Sequence, residues 1–114
     1  MRINVKKERG KRTVSREDGM VIANKLMQAM ENEDNIIIDF DNILIASVSF
    51  FDEAFGKLAF KYPKDVLVKR LLFENIEPYD RALLNDILIS RYHQREMEQK
   101  KRSKAKARKA SNGL

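Results

Sequence analysis

The hydrophobic positions along the chain change period several times, and each change marks an element. Ile3 and Val5 alternate with polar neighbours as in a short edge strand, and Gly10-Lys11-Arg12 follows as a turn. Thr13-Val14 predicts a second short strand ahead of Ser15, which with Asp18 has the Ser-x-x-Asp form of a helix start. Met20, Ala23, Leu26, Met27 and Met30 recur at helical spacing and predict an amphipathic helix over 16–31. The polar run Glu31 to Asn35 breaks that helix, and Ile36 to Phe40 reads as a short buried strand.

A loop through Ala46 then leads to Ser49, which with Asp52 repeats the Ser-x-x-Asp signature. A helix is predicted from Ser49 to about Tyr62, with Phe51, Phe55, Leu58 and Tyr62 on its core face and Pro63 as its stop. Val66 to Phe73 reads as the approach to and body of another strand, its early part being compatible with helix as well. Pro78 suits the first turn of a last helix, in which Tyr79, Leu83, Ile87 and Leu84, Leu88 form two adjoining apolar rows. Beyond Tyr92 the pattern fails. Residues 94–114 hold good helix formers but only Met97 as a bulky apolar residue before Leu114, which predicts a frayed helix passing into disorder.

Strands alternating with helices predict an α/β fold, a small mixed β-sheet covered by about three helices, with right-handed crossovers between parallel strands. One such domain is expected over 1–93 and a basic tail over 94–114, since 114 residues fill one core and leave no room for a separate catalytic domain. No stretch approaches the roughly 20 apolar residues that span a bilayer, and Met1-Arg2-Ile3-Asn4-Val5-Lys6 does not lead into a signal-peptide core. A cytoplasmic location without membrane contact is the expectation. The absence of cysteine excludes disulfides, thiolate metal sites and cysteine nucleophiles.

Charge changes the picture more than composition does. The formal net charge of +6 is segregated: residues 1–16 carry seven basic and one acidic side chain, 17–90 seven basic and fourteen acidic, and 91–114 nine basic and two acidic. An acidic middle is thus flanked by basic ends. Lys100, Lys101, Arg102, Lys104, Lys106, Arg108 and Lys109 suit binding of phosphate backbones without sequence preference. The lack of aromatic residues after Tyr92 removes the stacking platform of a dedicated single-strand binder. A solubilising tail, or basic ends docking on the acidic middle, are the competing readings.

Catalytic chemistry finds little support. The four glycines are isolated and make no phosphate-cradling cluster. His93, the only histidine, sits among Arg91, Tyr92 and Arg95, where a solvated side chain is favoured over a general base. Asp39, Asp41, Asp52 and Glu53 crowd one end of the expected sheet, but a polar strand exit explains them as well as a cation does. No catalytic residue, metal or cofactor is expected, and the chain reads as a non-enzyme.

The Asp39-Phe40-x-x-Ile43 strand exit, the helix Ser49-Phe50-x-Asp52-Glu53-Ala54-Phe55-Gly56-Lys57-Leu58, and the block Asn75-Ile76-x-Pro78-x-Asp80-Arg81-Ala82-Leu83-Leu84 together resemble a prokaryotic STAS-like domain family of unknown function. The resemblance spans about residues 13–92. It implies kinship with the anti-sigma-factor antagonist domains, which bind a kinase-like anti-sigma factor and are switched by serine phosphorylation where the loop meets the helix. In those relatives the exit Asp-Phe-Ser-Gly-Val leads to Asp-Ser-Ser-Gly-Leu, whose first serine is the acceptor. Laid ungapped on that pattern, Asp41-Asn42-Ile43 stands for Ser-Gly-Val and Ser47 for the acidic residue. Val48 falls on the acceptor, Ser49 on the second serine, and Phe50-Phe51 replaces Gly-Leu.

The expectation is therefore a regulatory protein-interaction module whose loop-helix region 41–55 meets a kinase-like ATPase or other enzymatic partner. Asp41, Phe50, Asp52 and Glu53 are the expected contacts, and Ser49, then Ser47, the candidate phosphorylation sites. For Ser49 an ordinary helix cap is the competing reading. The alternative function is accessory nucleic-acid binding through the two basic ends.

Overall fold

The structure, a computed structural model, describes the backbone of residues 1–112 and the side chains of residues 1–102. Strand β1 (Arg2–Asn4) gives way at once to a short helix α1 (Val5–Arg9), where the sequence pattern suggested that the strand reached Val5. Local chemistry explains the change. Asn4 caps the helix by accepting the Lys7 N–H on its side-chain oxygen at 2.9 Å. Gly10, with φ 66°, closes it in the left-handed conformation that glycine adopts without strain.

Strand β2 (Thr13–Val14) and helix α2 (Arg16–Asn32) follow, then β3 (Ile36–Asp39). The segment expected as a plain loop holds a short strand, β4 (Leu44–Ile45). One continuous helical rod comes next: α3 (Ser49–Phe51), a π-helical turn over Asp52–Gly56, and α4 (Lys57–Lys61), ending before Pro63. Helix α5 (Lys64–Arg70) feeds β5 (Leu71–Glu74), so the helical reading applies to the first part of the Val66–Phe73 run. Helix α6 starts at Pro78 and runs to Asn112. It passes the point after Tyr92 where fraying was expected, as its Ala, Lys, Arg, Glu and Gln residues favour. Gly113 and Leu114 lie outside the described residues.

The fold is α/β, as expected, but its strands pair in parallel in two separate sheets, β1-β3-β5 and β2-β4. In the larger sheet the register sets Ile3, Ile38 and Phe73 side by side, and Ile36 beside Leu71. These residues join one core with α2, the α3-π-α4 rod and α6. Arg2, Ile37 and Leu72, alternating with them, turn to the opposite face.

Two helices bury a different stripe from the one the spacing suggests. In α2 the buried residues are Asp18, Gly19, Ile22, Ala23, Leu26, Ala29 and Met30, while Met20 is exposed. The reason is Gly19. A Cβ built there would stand 2.5 Å from the Phe50 carbonyl oxygen, so α2 rests backbone against backbone on α3, and the contact turns Met20 outward. In α6 the stripe centres on Leu84, leaving Tyr79 exposed, about 140° around the helix at 100° per residue. The rod's π turn widens its core face to take Phe50, Phe51, Ala54, Phe55, Leu58 and Ala59, with Tyr62 only partly buried.

Candidate functional site

The carboxyl ends of the three parallel strands meet at Asp39, which is buried. Its Oδ1 accepts the Asp41 N–H and the Asn75 side-chain amide, each at 2.9 Å, and its Oδ2 accepts from Arg2 at 3.2 Å. Arg2 also donates to Glu74 at 2.7 Å. One carboxylate thus ties the start of β1 to the exits of β3 and β5. The Asn75 hydrogen bond, working against burial and with help from the Asp41 N–H and Arg2, holds the Asp39 carboxyl below the usual carboxylate range. Asn42 and Asn75 follow the two strand ends with φ 56° each, a left-handed conformation that asparagine accepts more readily than most residues.

The turn after Asp39 closes with the Ile43 N–H on the Phe40 carbonyl at 3.1 Å. Backbone bonds from Leu44 to Arg12 and from Ala46 to Val14, each at 2.9 Å, then seat the segment on β2. The helix begins at Ser49, as the spacing predicts, but Val48 ahead of it already has helical backbone angles. Ser47 accepts the Ser49 N–H on Oγ at 3.2 Å, and its carbonyl accepts the Phe50 N–H at 3.0 Å. Ser47, rather than Ser49, is the cap; Ser49 stands within the first turn, and both side chains are half-buried.

Phe50 is where the expected surface needs correction. It is fully buried, packed edge-on against Phe40 and Phe51 with ring centroids at 6.4 and 5.7 Å, in a cluster that extends to Phe55 and Phe73. The close approach of Gly19 to its backbone fixes Phe50 inward, so it offers no contact to a partner in this conformation. Asp52 and Glu53 are also engaged. Asp52 receives Arg91 in a forked arrangement at 2.7, 2.9 and 3.0 Å, and Glu53 receives Arg16 at 3.1 Å. Asp41 remains exposed.

The apolar side chains that do reach solvent on this segment are Leu44, 53% exposed, and Val48, 48% exposed, on either side of Ser47. Neither is singled out by the hydrophobic pattern: Val48 stands out only as the residue on the acceptor position of the related domains, and a burial pattern cannot be read from a strand as short as Leu44–Ile45. Beside the Asp39 turn lies a cleft of about 360 Å³, lined in part by Arg12, Asp41, Asn42, Asn75, Glu77 and Asp80. Burial and the neighbouring Glu77 charge push the Asp80 carboxyl up. No group of three or more acidic or histidine side chains among the described residues is placed to hold a metal ion.

The three blocks noted in the sequence thus form one unit: Asp39 and Asn75 bonded to each other, and the Ser47-capped rod packed behind the turn. A family model, described as a STAS-like domain of unknown function, matches residues 21–81, more than half of the chain. The chain belongs to that family. The matched part of the STAS-like domain runs from within α2 to the first turn of α6, and includes the Asp39–Asn75 bond and the whole rod. Arg91 and the distal part of α6 lie beyond it. No curated protein and no solved structure matches the chain. No helix among the described residues is long and apolar enough to cross a membrane.

Proposed function

We propose that this STAS-like domain is a non-catalytic, cytoplasmic protein-interaction module with a regulatory role, binding a kinase-like or other enzymatic partner through the segment 41–49. The observation that carries the reading is the exposure of Leu44 and Val48 around Ser47, on a segment that follows the Asp39 turn and is seated on β2 by backbone hydrogen bonds. Apolar side chains on a segment already ordered by backbone hydrogen bonds lose little entropy on docking, and Asp41 is exposed on the same segment. The contact set therefore keeps Asp41 and replaces Phe50, Asp52 and Glu53 with Leu44 and Val48, with Asp52 and Glu53 acting as struts that hold the rod.

Ser49 and Ser47 are the proposed modification sites within that surface. A phosphate on Ser47 displaces the hydroxyl cap and places charge on the helix N-terminus, where it gains from the free N–H groups. A phosphate on Ser49 stands three and four residues before Asp52 and Glu53, whose charges repel it and whose partners Arg91 and Arg16 attract it.

Affinity capture from native cells with nuclease treatment, partner identification and phosphosite mapping tests the reading. A stoichiometric protein partner lost from Leu44→Lys and Val48→Asp variants, both retaining wild-type circular dichroism and melting temperature, is the expected result. Capture that survives both substitutions overturns the surface.

A further inference from the structure

Four of the seven cations of the N-terminal segment, which the sequence grouped with those of the tail, pair with carboxylates of the body. Arg2 pairs with Asp39 and Glu74, Arg9 and Lys11 with Asp18, and Arg16 with Glu53. The basic end thus docks on the acidic middle, leaving the distal part of α6 as the dense concentration of positive charge. Lys100, Lys101 and Arg102 are exposed on that helix. From Gln99 to Asn112 the sequence places seven cations and no acidic residue. A helix of 35 residues is about 52 Å long at 1.5 Å per residue, and the molecule measures 61 Å in its longest direction against 28 and 22 Å in the others. The charge is therefore carried away from the acidic body on a narrow arm.

The geometry points to a second binding function: the distal arm of α6 holds the phosphate backbone of double-stranded nucleic acid without reading its sequence. Charge complementarity supplies the attraction, through release of counterions from the duplex. The occupant is a duplex rather than a lipid surface because after Met97 the arm has no bulky apolar residue to insert among acyl chains up to Asn112. It is a duplex rather than a single strand because the arm has no aromatic residue on which bases would stack. This function is independent of the segment 41–49 and adds to it.

The test is titration of the full chain with two mixed-sequence DNA duplexes of unrelated sequence, an unstructured single strand, and anionic vesicles of phosphatidylglycerol. Both duplexes are expected to bind equally. For about four neutralised phosphates, affinity falls roughly 100-fold between about 50 and 200 mM salt. The triple variant Lys100→Glu, Lys101→Glu, Arg102→Glu is expected to bind at least ~10-fold more weakly with a shallower salt slope, at unchanged helicity. Absence of duplex binding at low salt, binding unaffected by the triple variant, or preference for the single strand or the vesicles overturns the proposal.

Discussion

Arg91 grips both carboxylate oxygens of Asp52, its Nη2 lying 2.7 Å from one and 2.9 Å from the other while Nε adds a third bond at 3.0 Å. The pair joins the π turn to α6 across 39 residues of sequence. Gly56 lies under it: a Cβ at that position would approach Asp52 Oδ1 at 3.0 Å and Arg91 Nε at 3.2 Å. The side chains are 40% and 35% exposed, so solvent discounts the charge attraction, whereas the forked geometry adds directional hydrogen bonding.

Arg91→Ala is therefore expected to lower stability by about 1 kcal/mol, measured by urea denaturation. Arg91→Lys should recover only part of the loss, because an ammonium cannot reproduce the fork. Equal stability of wild type and Arg91→Ala would show that the pair adds nothing to the docking of α6.

Gly19→Ala should destabilise the protein, opposite in sign to the same substitution in an exposed helix interior. An exposed site gains about 1 kcal/mol from helix propensity. Here the new methyl meets backbone at 2.5 Å, so α2 and α3 must separate, at a net cost of about 1–3 kcal/mol. Thermal melting of the variant measures it, and a raised melting temperature would refute the close approach.

Asp18 sets an acid limit to stability. Burial alone would raise its pKa, but hydrogen bonds from Arg9 at 2.6 Å, the Ser15 N–H at 2.9 Å and nearby Lys11 bring it below the ordinary value. Asp39 shifts in the same direction. A carboxyl that is more acidic in the folded state contributes stability above its unfolded pKa, near 4, and loses that contribution as pH falls through the folded pKa. Stability is thus expected to decline below about pH 4. Asp18→Asn should cost about 2 kcal/mol at neutral pH and flatten part of that acid limb. Denaturation midpoints across pH check both, and an unchanged acid limb in the variant would remove Asp18 from the account.

The two serines at the start of the rod separate by role. Ser47→Ala removes the cap and should cost about 1 kcal/mol. Ser49→Ala, within the first turn and half-buried, should stay within about 0.5 kcal/mol of wild type. Parallel denaturation curves decide it; the reverse order would return the cap to Ser49.

Much of this architecture is legible in the chain because its signals are local. The Ser15-x-x-Asp18 start is realised, with the Asp18 carboxylate accepting the Ser15 N–H, and Pro63 and Pro78 punctuate the helices where their missing N–H demands. The same local signature misled at Ser49, because spacing to an acidic residue cannot tell which of two nearby serines bonds the first turn's N–H through its side chain. Short α1 was missed for a related reason. Ile3 and Val5 alternate correctly for a strand, yet the Asn4 cap ends the strand between them.

The sequence by itself determined the α/β class, the family, the acidic middle and basic ends, and the order of most elements, since periodicity, capping residues and composition act over a few residues. Only the tertiary structure decided which faces are buried and which charges are spent. Phe50 reads as surface until Gly19 lets α2 close over it, and Val48 reads as unremarkable until its place just before the rod leaves it exposed. Asp39 and Asn75 stand 36 residues apart, and Arg91 and Asp52 39. Such partners are chosen by parallel strand register and helix docking, which depend on the whole core packing at once and leave no local pattern in the chain.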